Sequence, residues 1–342
     1  MTDREHRQLR VGLVGAGVMG AHYTAVLHEY PRSEIVAVCD LVTERAASLA
    51  RPAGAPAFST VESMLATADP DAVVVATPDF AHRDPVLAAI AAGKAVLCEK
   101  PLATTREDCA AMTTAAAGRG APFMVNLGNR HRPAALRLRQ AMRDEGVGAV
   151  QYVHARLNER RDKTATLSWR GRTSPVWFLL SHCVDLVRWA TGEEFVRVHA
   201  HGRPGSPDVV AVLAELGNGA AAVLESAWHL PVGFAPQIDF RVEVIGEQGV
   251  LQADLFPHDL QLFTTEARAL DHTFGVRDVA GRLVGWWQDS VRYFVDCVLD
   301  GRQPSPGPRE AWQVTEVLLA IDASLQSGQP QAVATVAGEA PA

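Results

Sequence analysis

From residue 10 onward the chain alternates short apolar runs with longer amphipathic stretches. The runs are 10–15 (RVGLVG), 35–40 (IVAVCD), 71–77 (DAVVVAT), 95–101 (AVLCEKP) and 122–127 (PFMVNL). Each is nearly continuous in aliphatic residues and lacks the alternation of a half-exposed strand, so each predicts a strand buried on both faces. Between them, 18–29, 43–50, 60–66, 83–93 and about 105–117 predict helices. Pro31 and Gly93 close two of these, Thr60 reads as an N-cap, and Thr104 with Glu107 reads as a capping box. Strands alternating with helices at this spacing predict a doubly wound parallel domain over 9–128.

Beyond residue 128 the pattern changes. A helix with a basic face is predicted over 133–146. The stretches 151–159, 195–203, 208–216, 220–230 and 238–246 then largely alternate apolar and polar residues, with 251–254 and 259–265 as shorter additions. Turns such as Gly217-Asn218-Gly219 join them, which predicts a largely antiparallel sheet open on one face. A strongly apolar helix over 176–190 interrupts the strands, and a long helix over 309–327 ends at Gly328. The fold class is α/β: a doubly wound domain (9–128) followed by an α+β domain on an open sheet (129–330). The small, low-aromatic end of the chain (331–342) reads as a flexible tail.

Composition narrows the function. A length of 342 residues suits two domains. Apolar residues at 48% and charged residues at 21% exclude a disordered or fibrous chain. A net charge of −7 argues against a partner held by phosphate contacts, so no nucleic acid is expected. No run is apolar enough for a membrane helix, and the start MTDREHRQLR lacks the core of a signal peptide. The five cysteines are odd in number and contain no C-x-x-C, so neither a disulfide framework nor a metal site is predicted and a cytoplasmic location is expected. Only Lys94, Lys100 and Lys163 stand among 32 basic residues, so each lysine is a candidate for amine chemistry that arginine cannot perform.

Gly15-Ala16-Gly17-Val18-Met19-Gly20 is a G-x-G-x-x-G placed directly after a strand and at the start of a helix. In that context Gly15 permits the tight turn, Gly17 leaves the backbone open to a pyrophosphate, and Gly20 lets helix and strand pack closely. The helix N-terminus then supplies free N–H groups to the anion. Asp40 ends the second strand, 20 residues after Gly20, where a carboxylate accepts from ribose hydroxyls. It repels a 2′-phosphate, which favours NAD over the alternative NADP.

Further motifs follow in order: Ala76-Thr77-Pro78-Asp79-Phe80-Ala81-His82, Cys98-Glu99-Lys100-Pro101-Leu102 and His182-Cys183-Val184-Asp185. They resemble the A-T-P-x-x-x-H, E-K-P and H-x-x-D signatures of the glucose–fructose oxidoreductase / inositol dehydrogenase / rhizopine catabolism (Gfo/Idh/MocA) family. The run 321–328 (IDASLQSG) resembles its last helix. The resemblance implies a Rossmann domain and an α/β substrate domain, acting on a secondary alcohol or ketone of a sugar-like or cyclitol-like substrate. It also implies a homodimer or homotetramer formed through the C-terminal sheet.

By that resemblance Lys100 acts at the reacting hydroxyl, and Glu99 lies near the nicotinamide end. His182 is the proton relay, with Asp185 on the same helix face to orient it. Thr77, Pro78 and His82 line the cofactor cleft. Arg130, Trp169 and Arg170 help shape the substrate pocket. One position departs from the family: many members carry Asp four residues before the histidine, where this chain has Phe178. That Phe either offers the substrate an apolar face instead of an acceptor or points into the core and leaves the pocket unaffected. It also keeps open a non-catalytic cofactor-binding regulator, and nothing in the sequence excludes a redox-assisted glycoside-modifying enzyme with tightly held NAD.

Overall fold

The computed structural model describes residues 7–144, 146–165, 167–203, 208–234, 237–256, 261–263, 267–269 and 275–336. The chain divides into two units, Met1–Gly128 with Thr273–Trp312 and Asn129–His272 with Gln313–Ala342.

The first unit opens with β1 (Leu9–Val14), α1 (Val18–Glu29), β2 (Ser33–Cys39), α2 (Thr43–Ala50), β3 (Ala57–Phe58) and α3 (Val61–Ala68). It continues with β4 (Ala72–Val75), α4 (Arg83–Ala91), β5 (Ala95–Cys98), α5 (Arg106–Arg119) and β6 (Phe123–Val125). The strands form one parallel sheet in the order β3-β2-β1-β4-β5-β6. All four residues of β4 and of β5 are buried, as the continuous apolar runs require. Thr60 caps α3 as expected, its side chain accepting from the Ser63 N–H. The cap of α5 is Thr105, which accepts from the Asp108 N–H, and not Thr104. Each threonine has an acid three residues on, so the sequence pattern fits both.

The second unit holds α6 (Pro133–Asp144), β7 (Val150–Arg160), α7 (Arg161–Ala165), a π-helical turn (Val176–Leu180) and α8 (Ser181–Thr191). Then come β8 (Phe195–Gly202), β9 (Val209–Leu216), β10 (Ala221–Leu230), β11 (Ile238–Gly246), β12 (Val250–Asp254), β13 (Gln261–Phe263) and β14 (Ala267–Ala269). Of the strand expected over 259–265, only the three residues of β13 are described. The expected helix over 176–190 is thus a π turn running into an α-helix.

The chain returns to the first unit with β15 (Val276–Arg277), β16 (Leu283–Val284) and α9 (Trp286–Leu299). The 129–330 expectation places this segment in the second domain. Its apolar face decides otherwise: Trp287, Val291, Phe294 and Val295 join Leu9, Val11, Leu13, Tyr23 and Leu27 in one core. After α10 (Pro308–Ser327), β17 (Gln331–Ala332) completes a seven-stranded sheet of order β12-β11-β7-β10-β9-β8-β17. Every neighbouring pair is antiparallel except β7 and β10, which run parallel. The expected flexible tail is tied down through residue 336. Gln331 and Ala332 pair with β8, Val333 is 9% exposed, and the Val336 N–H donates to Gln313 Oε1 at 2.8 Å. Residues 337–342 lie outside the described residues. Among the described residues no helix is long and apolar enough to cross a membrane.

Candidate active site

The glycine motif occupies the loop between β1 and α1. Gly15 has φ +102°, and a Cβ there would lie 2.6 Å from the Ala76 carbonyl oxygen. A Cβ on Gly20 would lie 2.1 Å from the Gly15 carbonyl oxygen, so only glycine lets α1 start this close to the strand. A Cβ on Gly17 would meet nothing within 4 Å. Gly17 and Val18 are exposed, Met19 is half-buried, and α1 has no side-chain cap. The N–H groups of its first turn are therefore open to an outside acceptor. Asp40 braces this loop: Oδ2 accepts from the Ala16 N–H at 2.7 Å and Oδ1 from the Val42 N–H at 2.8 Å. The carboxylate has further lone pairs for ribose hydroxyls. The residues present fit a dinucleotide.

Lys100 follows β5, and Gly15 follows β1. Both strands belong to the same parallel sheet, with β4 between them, so both residues stand at its carboxyl edge. The backbone on either side of Lys100 is held by buried groups. Before it, Glu99 is 7% exposed; its Oε2 accepts from the Lys100 N–H at 3.2 Å and its Oε1 from the Tyr23 hydroxyl at 2.7 Å. Tyr23 in turn accepts from Asn126 Nδ2 at 2.6 Å, and Asn126 Oδ1 accepts from the Ser290 hydroxyl at 2.7 Å. Burial and the neighbouring Glu99 raise the Tyr23 phenol well above its ordinary pKa, so it stays a donor.

After Lys100, His82 lies with Nδ1 3.0 Å from the Pro101 carbonyl oxygen and 3.2 Å from that of Leu102. Its Nε2 is 3.1 Å from the Thr77 carbonyl oxygen. His82 is 1% exposed, which corrects the expectation that it lines the cleft. A ring enclosed by backbone carbonyls ties the end of β4 to the segment after Lys100 and has no open side for a cofactor. Burial lowers its pKa, against the pull of those carbonyls. Thr77 and Pro78 are half-buried, and the Thr77 hydroxyl donates to the Ala81 carbonyl oxygen at 2.9 Å.

In the second unit His182 is half-buried on the first turn of α8. Its Nδ1 lies 2.8 Å from Asn129 Nδ2, and Asn129 Oδ1 accepts from Arg132 Nε at 2.6 Å. The expected orienting partner, Asp185, is 1% exposed and bound by Arg130, with Nε at 3.2 and 3.0 Å from its two oxygens and a terminal nitrogen at 2.6 Å. Arg130 is itself 6% exposed, with its guanidinium 5.8 Å from the Trp189 ring. This corrects its expected place in the substrate pocket. A buried carboxylate needs a charged partner, and Arg130 serves Asp185 in that way.

Phe178 lies in the π turn, one turn before His182. Its ring is 6.0 Å from that of Trp169 and 5.5 Å from that of Trp228. Arg170 stands 5.7 Å from the Trp228 ring and 3.3 Å from Asp208. Trp169, Arg170 and Phe178 are therefore brought together, and Trp228 joins them. The sequence reading missed Tyr23, Asn126, Ser290, Asn129, Arg132 and Trp228. Tyr23 left one sign: a hydroxyl on the sheet-facing stripe of α1, where packing alone calls for an apolar ring.

Comparison with known proteins agrees with this geometry. Residues 9–127 match the family model described as "Oxidoreductase family, NAD-binding Rossmann fold", and 135–252 match the GFO/IDH/MocA C-terminal domain. Inositol 2-dehydrogenase of Acidothermus cellulolyticus is 32% identical over 347 residues, covering 98% of this chain and 97% of its own. The crystal structure of GenD2 from gentamicin A biosynthesis, in complex with NAD, superposes with a TM-score of 0.81 at 28% identity, covering 96% of this chain and 97% of that one. Scyllo-inositol dehydrogenase of Lactobacillus casei, with bound NAD(H) and scyllo-inositol, shares the fold with a TM-score of 0.84 at 19% identity, covering 96% and 99%. With a glycine cradle built for a dinucleotide and both domain models matched in order, the chain belongs to the GFO/IDH/MocA oxidoreductase family and is a dehydrogenase acting on CH–OH groups, with an NAD-binding Rossmann domain.

Proposed function

We propose that the enzyme interconverts a secondary alcohol and ketone on a cyclitol or closely related polyol, using NAD in preference to NADP. The observation that carries this reading is Lys100 at the carboxyl edge of the sheet that also bears the Gly15–Gly20 cradle. Gly15, Gly17, Val18, Met19, Gly20 and Asp40 hold the dinucleotide, which supplies the two-electron acceptor when bound. Lys100 exchanges the hydroxyl proton and stabilises negative charge developing on the substrate oxygen. His182 hydrogen-bonds a substrate oxygen. The cyclitol preference draws on the relative named inositol 2-dehydrogenase. The likeness to GenD2, from gentamicin A biosynthesis, supports keeping sugar-like rings in the class.

We also propose that two copies pair through the open face of the seven-stranded sheet. Supporting this, Leu213 and Val209 on β9, Val196 on β8 and Ile245 on β11 are 58%, 42%, 40% and 36% exposed.

The test is a panel of inositols and hexoses with NAD and NADP, read at the nicotinamide absorbance. Turnover of a cyclitol with NAD, and a narrower NAD/NADP gap in Asp40→Ala, supports the reading. Silence across the panel contradicts it.

A further inference from the structure

The contacts of Asn129 fix more than the position of His182. The guanidinium of Arg132 has only donors. Its Nε lies 2.6 Å from one side-chain atom of Asn129, so that atom is the amide oxygen. The amide nitrogen then faces His182 Nδ1 at 2.8 Å. An amide nitrogen only donates, so Nδ1 must accept, and the ring proton of a neutral His182 sits on Nε2. The array is buried: Asn129 is 6% and Arg132 7% exposed. Arg132 also donates to the Leu255 carbonyl oxygen and lies 5.1 Å from the Phe256 ring centroid. Asp185, three residues beyond His182, is engaged by Arg130.

We infer that Asn129 is a positioning residue that holds His182 as its Nε2–H tautomer, so that His182 meets substrate as a hydrogen-bond donor and not as a base. A protonated Nε2 has no lone pair for the hydroxyl proton. Protonation of Nδ1 instead would set its N–H against the Asn129 amide N–H. Substrate-oxygen recognition by His182 rests on the function proposed above; the tautomer rests on the contacts alone.

The decisive experiment is a long-range 1H–15N correlation spectrum of the full-length protein labelled in histidine nitrogen, near neutral pH. His182 is assigned by the signals lost in His182→Gln. In the wild type, Nδ1 is expected at the shift of a bare ring nitrogen and Nε2 at that of a protonated one. In Asn129→Asp one carboxylate oxygen still meets Arg132 while the other accepts from Nδ1–H, so the two shifts exchange. A protonated Nδ1 in the wild type overturns the proposal, whether or not the variant folds. So does an unchanged pattern in folded Asn129→Asp. Kinetics give a second readout: reversal of the tautomer removes a donor at the substrate oxygen and lowers kcat by about 10²-fold, with KM changed far less. Full activity in a tautomer-reversed variant also overturns the donor role. The spectrum needs no substrate, so an enzyme silent toward every polyol defeats the proposed function and leaves the tautomer result to stand or fall alone.

Discussion

The Tyr23 hydroxyl donates to Glu99 Oε1 over 2.7 Å, joining the helix that starts at the glycine cradle to the residue before Lys100. Tyr23 is fully buried, and its ring packs 4.8 Å from that of Trp287. A phenylalanine would satisfy the packing. The hydroxyl is spent on a directed chain, Ser290 to Asn126 to Tyr23 to Glu99, in which each group donates to the next. Such a buried and satisfied chain fixes geometry more sharply than its separate bonds would.

Tyr23→Phe leaves Asn126 Nδ2 and Glu99 Oε1 each short of a partner, at a cost of about 1–3 kcal/mol in stability. It also frees the Glu99–Lys100 backbone. The expected result is a lower Tm, NAD affinity within a few-fold of wild type, and a kcat reduced by up to about 10²-fold, as for small misplacements of a reacting group. Calorimetry, cofactor titration and steady-state rates on one preparation check it. A variant with lowered Tm and unchanged kcat assigns Tyr23 to stability alone.

His82 predicts a pH effect. Burial lowers its pKa in the folded state from an ordinary value of 6.5. As pH falls below that value, the unfolded chain binds a proton that the folded chain refuses, so folding stability is lost down to the folded-state pKa. Above the unfolded-state value the full contribution is present. His82→Gln cannot titrate, so its Tm should fall less than that of wild type between neutral pH and mild acid. Parallel Tm–pH curves for the two proteins would exclude this contribution.

Phe178 predicts a shift in specificity. Its ring packs with those of Trp169 and Trp228; on the proposed function it would present an apolar wall where an acid would accept from a hydroxyl. An unpaired hydroxyl against that wall costs on the order of 1–3 kcal/mol, enough to disfavour a fully hydroxylated ring by tenfold or more. Phe178→Asp should move preference toward myo-inositol and away from substrates with an apolar substituent or one hydroxyl fewer, while Phe178→Leu should not. Equal kcat/KM ratios in all three proteins would place Phe178 in the core.

Five of the six strands of the first sheet were legible because they are continuous apolar runs, a pattern that burial on both faces explains; β3, two residues long, left no such run. The parallel pairing of β7 with β10 was not legible, since alternation reports which face is wet and nothing about direction. The stripe of α9 (Trp287, Val291, Phe294 and Val295) has helical spacing, but spacing cannot tell which core receives it. The π turn at Val176–Leu180 left no local signal. Within the candidate site, the placement of Gly15, Gly17, Gly20, Asp40 and Lys100 at strand ends was legible because each belongs to a local strand-end motif. The partners of His182 and Glu99 were not, because they lie 53 and 76 residues away along the chain. Spacing puts Asp185 and His182 on one helix face and so predicts that they are partners. The Arg130 side chain that binds Asp185 comes from another element.

The central claim, that Lys100 performs the acid–base step of an NAD-dependent polyol oxidation, is tested most directly by one comparison. The rate of NADH formation from a turned-over cyclitol is measured for wild type and Lys100→Ala at saturating NAD, with the NAD dissociation constant measured for both. Loss of one group at a developing oxyanion predicts a rate lower by about 10²–10³-fold with NAD binding nearly unchanged. A Lys100→Ala enzyme that keeps most of its rate would contradict the account.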